Sequence, residues 1–318
     1  MSASTKTRSV SEDSSPIQKF LIQTTGLASL LSLLIGSCPA EAQLARPLDP
    51  IAAKLEPTRT VVYKHVGDRS LRLHVFEPEG HKPSDRRPAF LAIHGGGWTG
   101  GDARRFYPIA DWFRRQGFLG ISLEYRLLNA KAGTTVFDCV KDGRSAVRYI
   151  RSHADELGID PQTIVVSGGS AGGHIAAGTA LFDDVNDDSD NLAVSPHPNI
   201  LVLFYPVIDT SAAGYGQKKI GDRWREISPV HHVRKGLPPT LVLHGTGDTV
   251  TPYAGAKSFF DQMQAAGNHC ELISHENGRH GYFIFNLQLY EEAMQQTLTF
   301  LRDQQITDRQ SKGPTGRP

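Results

Sequence analysis

Residues Ser167 to Gly173 read Ser-Gly-Gly-Ser-Ala-Gly-Gly and follow directly on the apolar run Ile164-Val165-Val166. Such a junction can hardly be anything but a tight turn from a strand into a helix. The β-branched run favours an extended chain, the glycines carry no Cβ to obstruct a sharp reversal, and the small residues from Ala171 to Leu181 suit a closely packed helix. Gly168-Gly169-Ser170-Ala171-Gly172 also fits G-x-S-x-G, the turn that holds a serine strained with its hydroxyl exposed above a sheet. A Gly-rich connection with no chemical role would look the same over these five residues alone, so the rest of the chain has to decide.

Periodicity along the chain supplies that context. Residues 60–66 and 71–76 alternate apolar and polar positions around Gly67-Asp68, as an antiparallel hairpin at a sheet edge would. Residues 89–93, 118–123, 200–204 and 240–244 are continuous apolar runs, the mark of strands buried on both faces. Between them lie helical patterns at 107–116, 136–157, 171–181, 254–266 and 289–302, and residues 271–274 form a last short strand. Strand and helix alternate, which implies a mostly parallel sheet flanked by helices and joined by right-handed crossovers, the α/β class.

The 318 residues carry a formal net charge of +1 and no basic cluster, so no electrostatic footprint for nucleic acid exists. Lys6, Arg8 and Lys19 precede an apolar stretch from Leu27 to Ile35, and Ala40-Glu41-Ala42 offers a small-residue cleavage site, a secretory signal layout over residues 1–42. Ile35-Gly36-Ser37-Cys38 also resembles a lipobox, which would end the signal at Cys38 and attach a lipid anchor there. The apolar run is short for a membrane span. Residues 43–58, with Pro47, Pro50 and Pro57, read as a linker, 59–305 as the folded domain and 306–318 as a disordered tail. The acidic stretch 183–198 lacks the Gly and Glu that a calcium loop needs and reads as a solvated loop, while 210–233 is the candidate small lid. Cys139 and Cys270 read as buried free thiols, with a disulfide between them as the alternative open to an exported chain.

Three further segments bear on Ser170. His94-Gly95-Gly96-Gly97-Trp98 follows a buried strand, and a loop that keeps three glycines in a row generally turns backbone N–H groups towards a ligand. Asp248 lies in the turn after residues 240–244, where open parallel sheets place site residues. His280 lies in Gly278-Arg279-His280-Gly281, before the final helix. A serine hydroxyl needs a base, and the base needs an orienting carboxylate. The order Ser170, Asp248, His280 meets that need on three sheet-edge turns at once. No cluster of metal-ligand spacing occurs, and no metal or organic cofactor is expected.

Together, His94-Gly-Gly-Gly-Trp98, Gly168-Gly-Ser-Ala-Gly-Gly173, Gly247-Asp248 and Gly278-Arg-His-Gly281 resemble the hormone-sensitive-lipase-like esterases of the α/β-hydrolase superfamily, from about Thr60 to Leu301. The resemblance implies an α/β-hydrolase fold and a serine carboxylesterase. Ser170, His280 and Asp248 would be its catalytic set, the N–H groups of Gly96, Gly97 and Ala171 its oxyanion hole, and His94 the brace of the glycine loop. The substrate would be a small-molecule or carbohydrate ester with a short acyl chain, because little chain remains to build the helical cap many members carry. The C-terminal part is also similar to the hydrolase domain of prolyl-oligopeptidase-type peptidases, so a peptidase or amidase is the nearest alternative. A non-catalytic binding module on the same fold is a third reading.

Overall fold

A computed structural model describes residues 46–306. The signal segment, Cys38 and the tail beyond Ile306 lie outside the described residues. In chain order the elements are α1 (Leu48–Ala52), β1 (Arg59–Val66), β2 (Arg69–Phe76), β3 (Arg87–Ile93), α2 (Tyr107–Arg115), β4 (Leu119–Leu123), α3 (Val136–Ser152), α4 (Ala154–Leu157), β5 (Ile159–Gly169), α5 (Ala171–Leu181), β6 (Ile200–Phe204), α6 (Gln217–Ile220), β7 (Thr240–Gly245), α7 (Tyr253–Ala265), β8 (Cys270–His275) and α8 (Leu287–Asp303).

One eight-stranded sheet runs in the order β1-β2-β4-β3-β5-β6-β7-β8. The β1–β2 hairpin pairs antiparallel and lies at one edge, β2 pairs antiparallel with β4, and all remaining pairs are parallel. The continuously apolar strands sit between two layers of helix. Leu91 of β3 and Val166 of β5 face the side packed by α3, α5 and α7, while Phe90 and Val165 face the side packed by α2 and α8. Alternate residues of one strand thus serve two cores, the reason these runs show no polar positions. Phe90 stacks on Phe113 of α2 with centroids 3.6 Å apart.

Four expectations need revision. The 43–58 stretch is not a bare linker: it forms α1, with Leu48 and Ala52 buried. Proline is tolerated in a helix's first turn, where its missing N–H would lack an intrahelical partner, so Pro47 and Pro50 start this helix instead of preventing one. The acidic stretch is not a freely solvated loop. Asp187 pairs with Lys64 at 2.7 Å and Arg126 at 3.3 Å, and Asp190 pairs with Arg148 at 2.8 Å, which ties the segment to β1 and α3. The helix expected over 136–157 breaks at His153 into α3 and α4. Ile306, placed in the tail, is buried against the α8 core, and its N–H bonds to Leu301 O.

Cys139 and Cys270 are buried and unpaired. No helix among the described residues is long and apolar enough to cross a membrane. Between β6 and β7 the chain holds α6 and short 3-10 turns at Asp222–Ile227 and Pro229–His231, so the lid over the sheet's C-terminal edge is small.

Candidate active site

β5 ends in Gly168 and Gly169, and Ser170 then takes φ 55° and ψ −121° before α5 begins. A serine in that region costs on the order of 1–3 kcal/mol and persists only where its surroundings over-determine it. Three hydrogen bonds hold it: Ser170 N–H donates to Phe204 O at 3.0 Å, while Ser170 O accepts from Val207 N at 3.0 Å and His174 N at 3.1 Å. A side chain at Gly168 would meet Gly172 O, and one at Gly169 would come within 2.8 Å of both Phe106 and Tyr205. The turn therefore closes only with glycine at both places.

The expected partners converge on this serine. His280 Nε2 lies 3.0 Å from Ser170 Oγ, and His280 Nδ1 lies 2.8 Å from Asp248 Oδ2. Because a carboxylate only accepts, Nδ1 carries the proton in this contact and leaves Nε2 to accept from the serine hydroxyl. Tyr205, itself at φ 36°, sets its ring edge-on to His280 at 5.2 Å.

Asp248 is buried with three hydrogen-bond donors besides His280, and His244 lies close by. Val250 and Thr251 N–H reach Oδ1 at 2.8 and 2.9 Å, Thr251 Oγ1 reaches Oδ2 at 2.9 Å, and His244 Nε2 lies 3.3 Å from Oδ2. Burial pushes this carboxyl up, but the hydrogen bonds from His244 and His280 outweigh it and hold the group far below the ordinary carboxylate range. It is an anion at any working pH. His244 Nε2 donates to Thr251 O at 2.8 Å and touches Asp248 as well.

The glycine loop follows β3. Gly96 and Gly97 have φ of 128° and 59°, where a Cβ is strained, and a Cβ at Gly97 would lie 2.6 Å from Tyr215 Oη. The N–H groups of Gly96, Gly97 and Ala171 donate to nothing else among the described residues. His94 lies at the start of the loop: Nδ1 donates to Gly95 O at 2.8 Å, and Tyr125 stacks on its ring and donates to His94 O at 2.9 Å. Burial lowers the pKa of His94 to about 4, so it stays neutral. Trp98, fully buried, packs against His174 and Tyr215 and anchors the loop's far end.

Sequence reasoning missed several contributors. Lys219 of α6 donates to Gly97 O at 3.0 Å and to Tyr215 Oη at 2.9 Å, clamping the glycine loop from the lid. Thr251 binds Asp248 through two groups, and the pattern Asp248-x-x-Thr251, a side chain accepting from backbone two and three residues on, was a visible signal for it. Arg46, Leu48 and Asp49 line the cavity of about 230 Å³ that holds Ser170 and His280, so the N-terminal segment once read as a linker forms part of the site wall. Among the described residues no group of three or more metal-ligating side chains comes together.

A parallel-sheet core, a strained serine at the end of β5 and a hydrogen-bonded Ser-His-Asp chain on three edge loops define an α/β hydrolase. The chain belongs to the BD-FAE family, which it matches over residues 73–263; residues 222–311 also match the TAP-like protein family. It is 36% identical to esterase 2 of Thermogutta terrifontis, solved with butyrate bound, with a TM-score of 0.74 over 80% of this chain and 96% of that one. It is 25% identical to esterase LipQ of Mycobacterium tuberculosis over 63% of this chain and 51% of that protein. It is 27% identical to an acetylxylan esterase of Xylanibacter ruminicola over 73% of this chain and 48% of that protein. The chain spans about half the length of these two curated relatives.

Proposed function

We propose that the protein is a serine carboxylic ester hydrolase that acts on short acyl esters through an acyl-enzyme. The observation that carries the reading is the continuous Asp248–His280–Ser170 hydrogen-bond chain. Ser170 Oγ attacks the ester carbonyl as its proton passes to His280 Nε2, and Asp248 stabilises the imidazolium so formed. The carbonyl oxygen becomes an oxyanion that accepts from the free N–H groups of Gly96, Gly97 and Ala171. Collapse breaks the ester C–O bond, the leaving alkoxide takes the proton from His280, and water then repeats the sequence on the acyl-serine. The kinship with esterases supports the same class of reaction.

The small cavity supports a short acyl group. Each buried methylene contributes roughly 0.8 kcal/mol of transfer free energy, a gain that stops once the chain outgrows the space. The relative solved with butyrate has also been solved with propionate bound, and the acetylxylan esterase kinship favours carbohydrate acyl esters as natural substrates. The test is labelling with a fluorophosphonate probe followed by rates on acetyl, butyryl, octanoyl and palmitoyl esters of one alcohol. Labelling at Ser170 with kcat/KM highest at acetyl or butyryl supports the reading. An unlabelled Ser170, or specificity that climbs past octanoyl, refutes it. Export rests on the sequence of residues 1–42, or 1–37 with a lipid on Cys38, and intact mass of protein from its natural host decides between them.

A further inference from the structure

The cavity over Ser170 is lined by two arginines, Arg46 and Arg105. Eleven of the nineteen arginines among the described residues are committed to carboxylates, Arg59, Arg126 and Arg148 among them. The Arg105 side chain has no ion pair and no hydrogen-bond partner among the described residues, and the Arg46 guanidinium, 5.6 Å from the centre of the Phe285 ring, pairs with no carboxylate among them. One acidic residue, Asp49, lines the same cavity, exposed and outside pairing distance of either arginine. The ammonium of Lys219 adds a third positive charge behind Gly97 and Tyr215, both of which line the cavity. The buried Asp248 faces away, engaged by His280, His244 and Thr251.

Guanidinium groups present a fork of donors that matches a carboxylate in two-point contact, and a cavity of one predominant sign concentrates ligands of the other. Two such forks left open beside a nucleophile are out of place in a site for wholly neutral esters. We infer that the preferred substrate carries a carboxylate near the scissile ester, on its acyl or its alcohol side, held by Arg46 and Arg105. The inference rests on the esterase reading and narrows its substrate class to esters that remain acidic after one linkage is made, such as half-esters of dicarboxylic acids or acyl esters of hydroxy acids.

Two matched pairs of small esters separate the possibilities. Monomethyl succinate against methyl levulinate varies charge on the acyl side at nearly constant shape, and O-acetylglycolate against its amide does so on the alcohol side. In one pair at least, the anionic member should be preferred in kcat/KM by about tenfold or more, the range expected of hydrogen bonds to a charged group. That ratio should fall with added salt and drop close to one in the R46Q/R105Q double variant. Equal rates within both pairs, or a preference that survives in the double variant, overturns the inference while leaving the esterase reading intact. Failure to hydrolyse any of the four overturns both.

Discussion

Ser170 and Tyr205 share an unusual backbone: both sit at positive φ at the C-terminal end of a strand, and neither is glycine. The strain is held by bonds between neighbouring strand ends, Ser170 N–H to Phe204 O and Tyr205 N–H to Leu243 O, so the sheet itself aims the hydroxyl at His280. Replacing Ser170 or His280 by alanine is expected to lower ester kcat/KM by about 10³-fold or more, since members of such a set act as a unit. Asp248→Asn should fall nearly as far, because an amide in place of the carboxylate favours the wrong tautomer of His280. Unchanged circular dichroism alongside lost turnover separates chemistry from unfolding; near wild-type rates in Ser170→Ala would refute the assignment. These three residues were legible because each stands in a short glycine-marked turn just past a buried run. Tyr205 and Arg105 were not, since nothing in their immediate neighbours distinguishes them and their roles come from chain folded in from far away.

Among the elements, α6 illustrates what local pattern cannot reveal. Four residues of mixed polarity carry no periodicity, yet Lys219 on that turn fixes Gly97 O across 122 positions of sequence. Since the N–H of Gly97 is proposed to meet the oxyanion, a looser loop should weaken transition-state binding more than substrate binding. Lys219→Met is accordingly expected to reduce kcat about three- to tenfold with little change in KM, and Lys219→Arg to restore part of the loss. A change confined to KM would mean that Lys219 serves the substrate alone. Most strands and long helices, by contrast, were readable within a residue or two, because a sheet covered on both faces leaves uninterrupted apolar runs; the exceptions are β5, which starts at Ile159 ahead of its apolar run, and α3, which ends at Ser152. α1 was missed because three prolines suggest extended chain, when two of them fall where a helix accepts them. The acidic segment was misread because its partners, Lys64, Arg126 and Arg148, lie far off in sequence.

For the whole molecule, stability is expected to fall on the acid side of neutrality. His94 and His174 are enclosed in the core, and burial lowers each pKa to about 4 from an ordinary value near 6.5. Between those values the unfolded chain binds protons that the folded chain refuses, so stability is fully present above about pH 6.5 and declines as pH falls towards 4. Each histidine is expected to account for about 3 kcal/mol over that window, and urea midpoints at pH 7.5 and 4.5 check the sum. His174→Gln, whose amide can still donate to Ile227 O, should flatten the pH dependence; an unaltered slope would place the acid sensitivity elsewhere. The two cysteines among the described residues, Cys139 and Cys270, set another property. Burial pushes the Cys270 thiol up to about 12 and the Cys139 thiol higher still, and only a thiolate attacks a disulfide or an alkylating reagent. Neither thiol can take part in exchange while the chain is folded, and no covalent cross-link joins Cys139 to Cys270. As far as Cys139 and Cys270 are concerned, folding is therefore indifferent to redox surroundings: the protein should reach the same melting temperature in dithiothreitol as in air and fold alike in a reducing or an oxidising compartment, because neither thiol needs an oxidant to reach its native state.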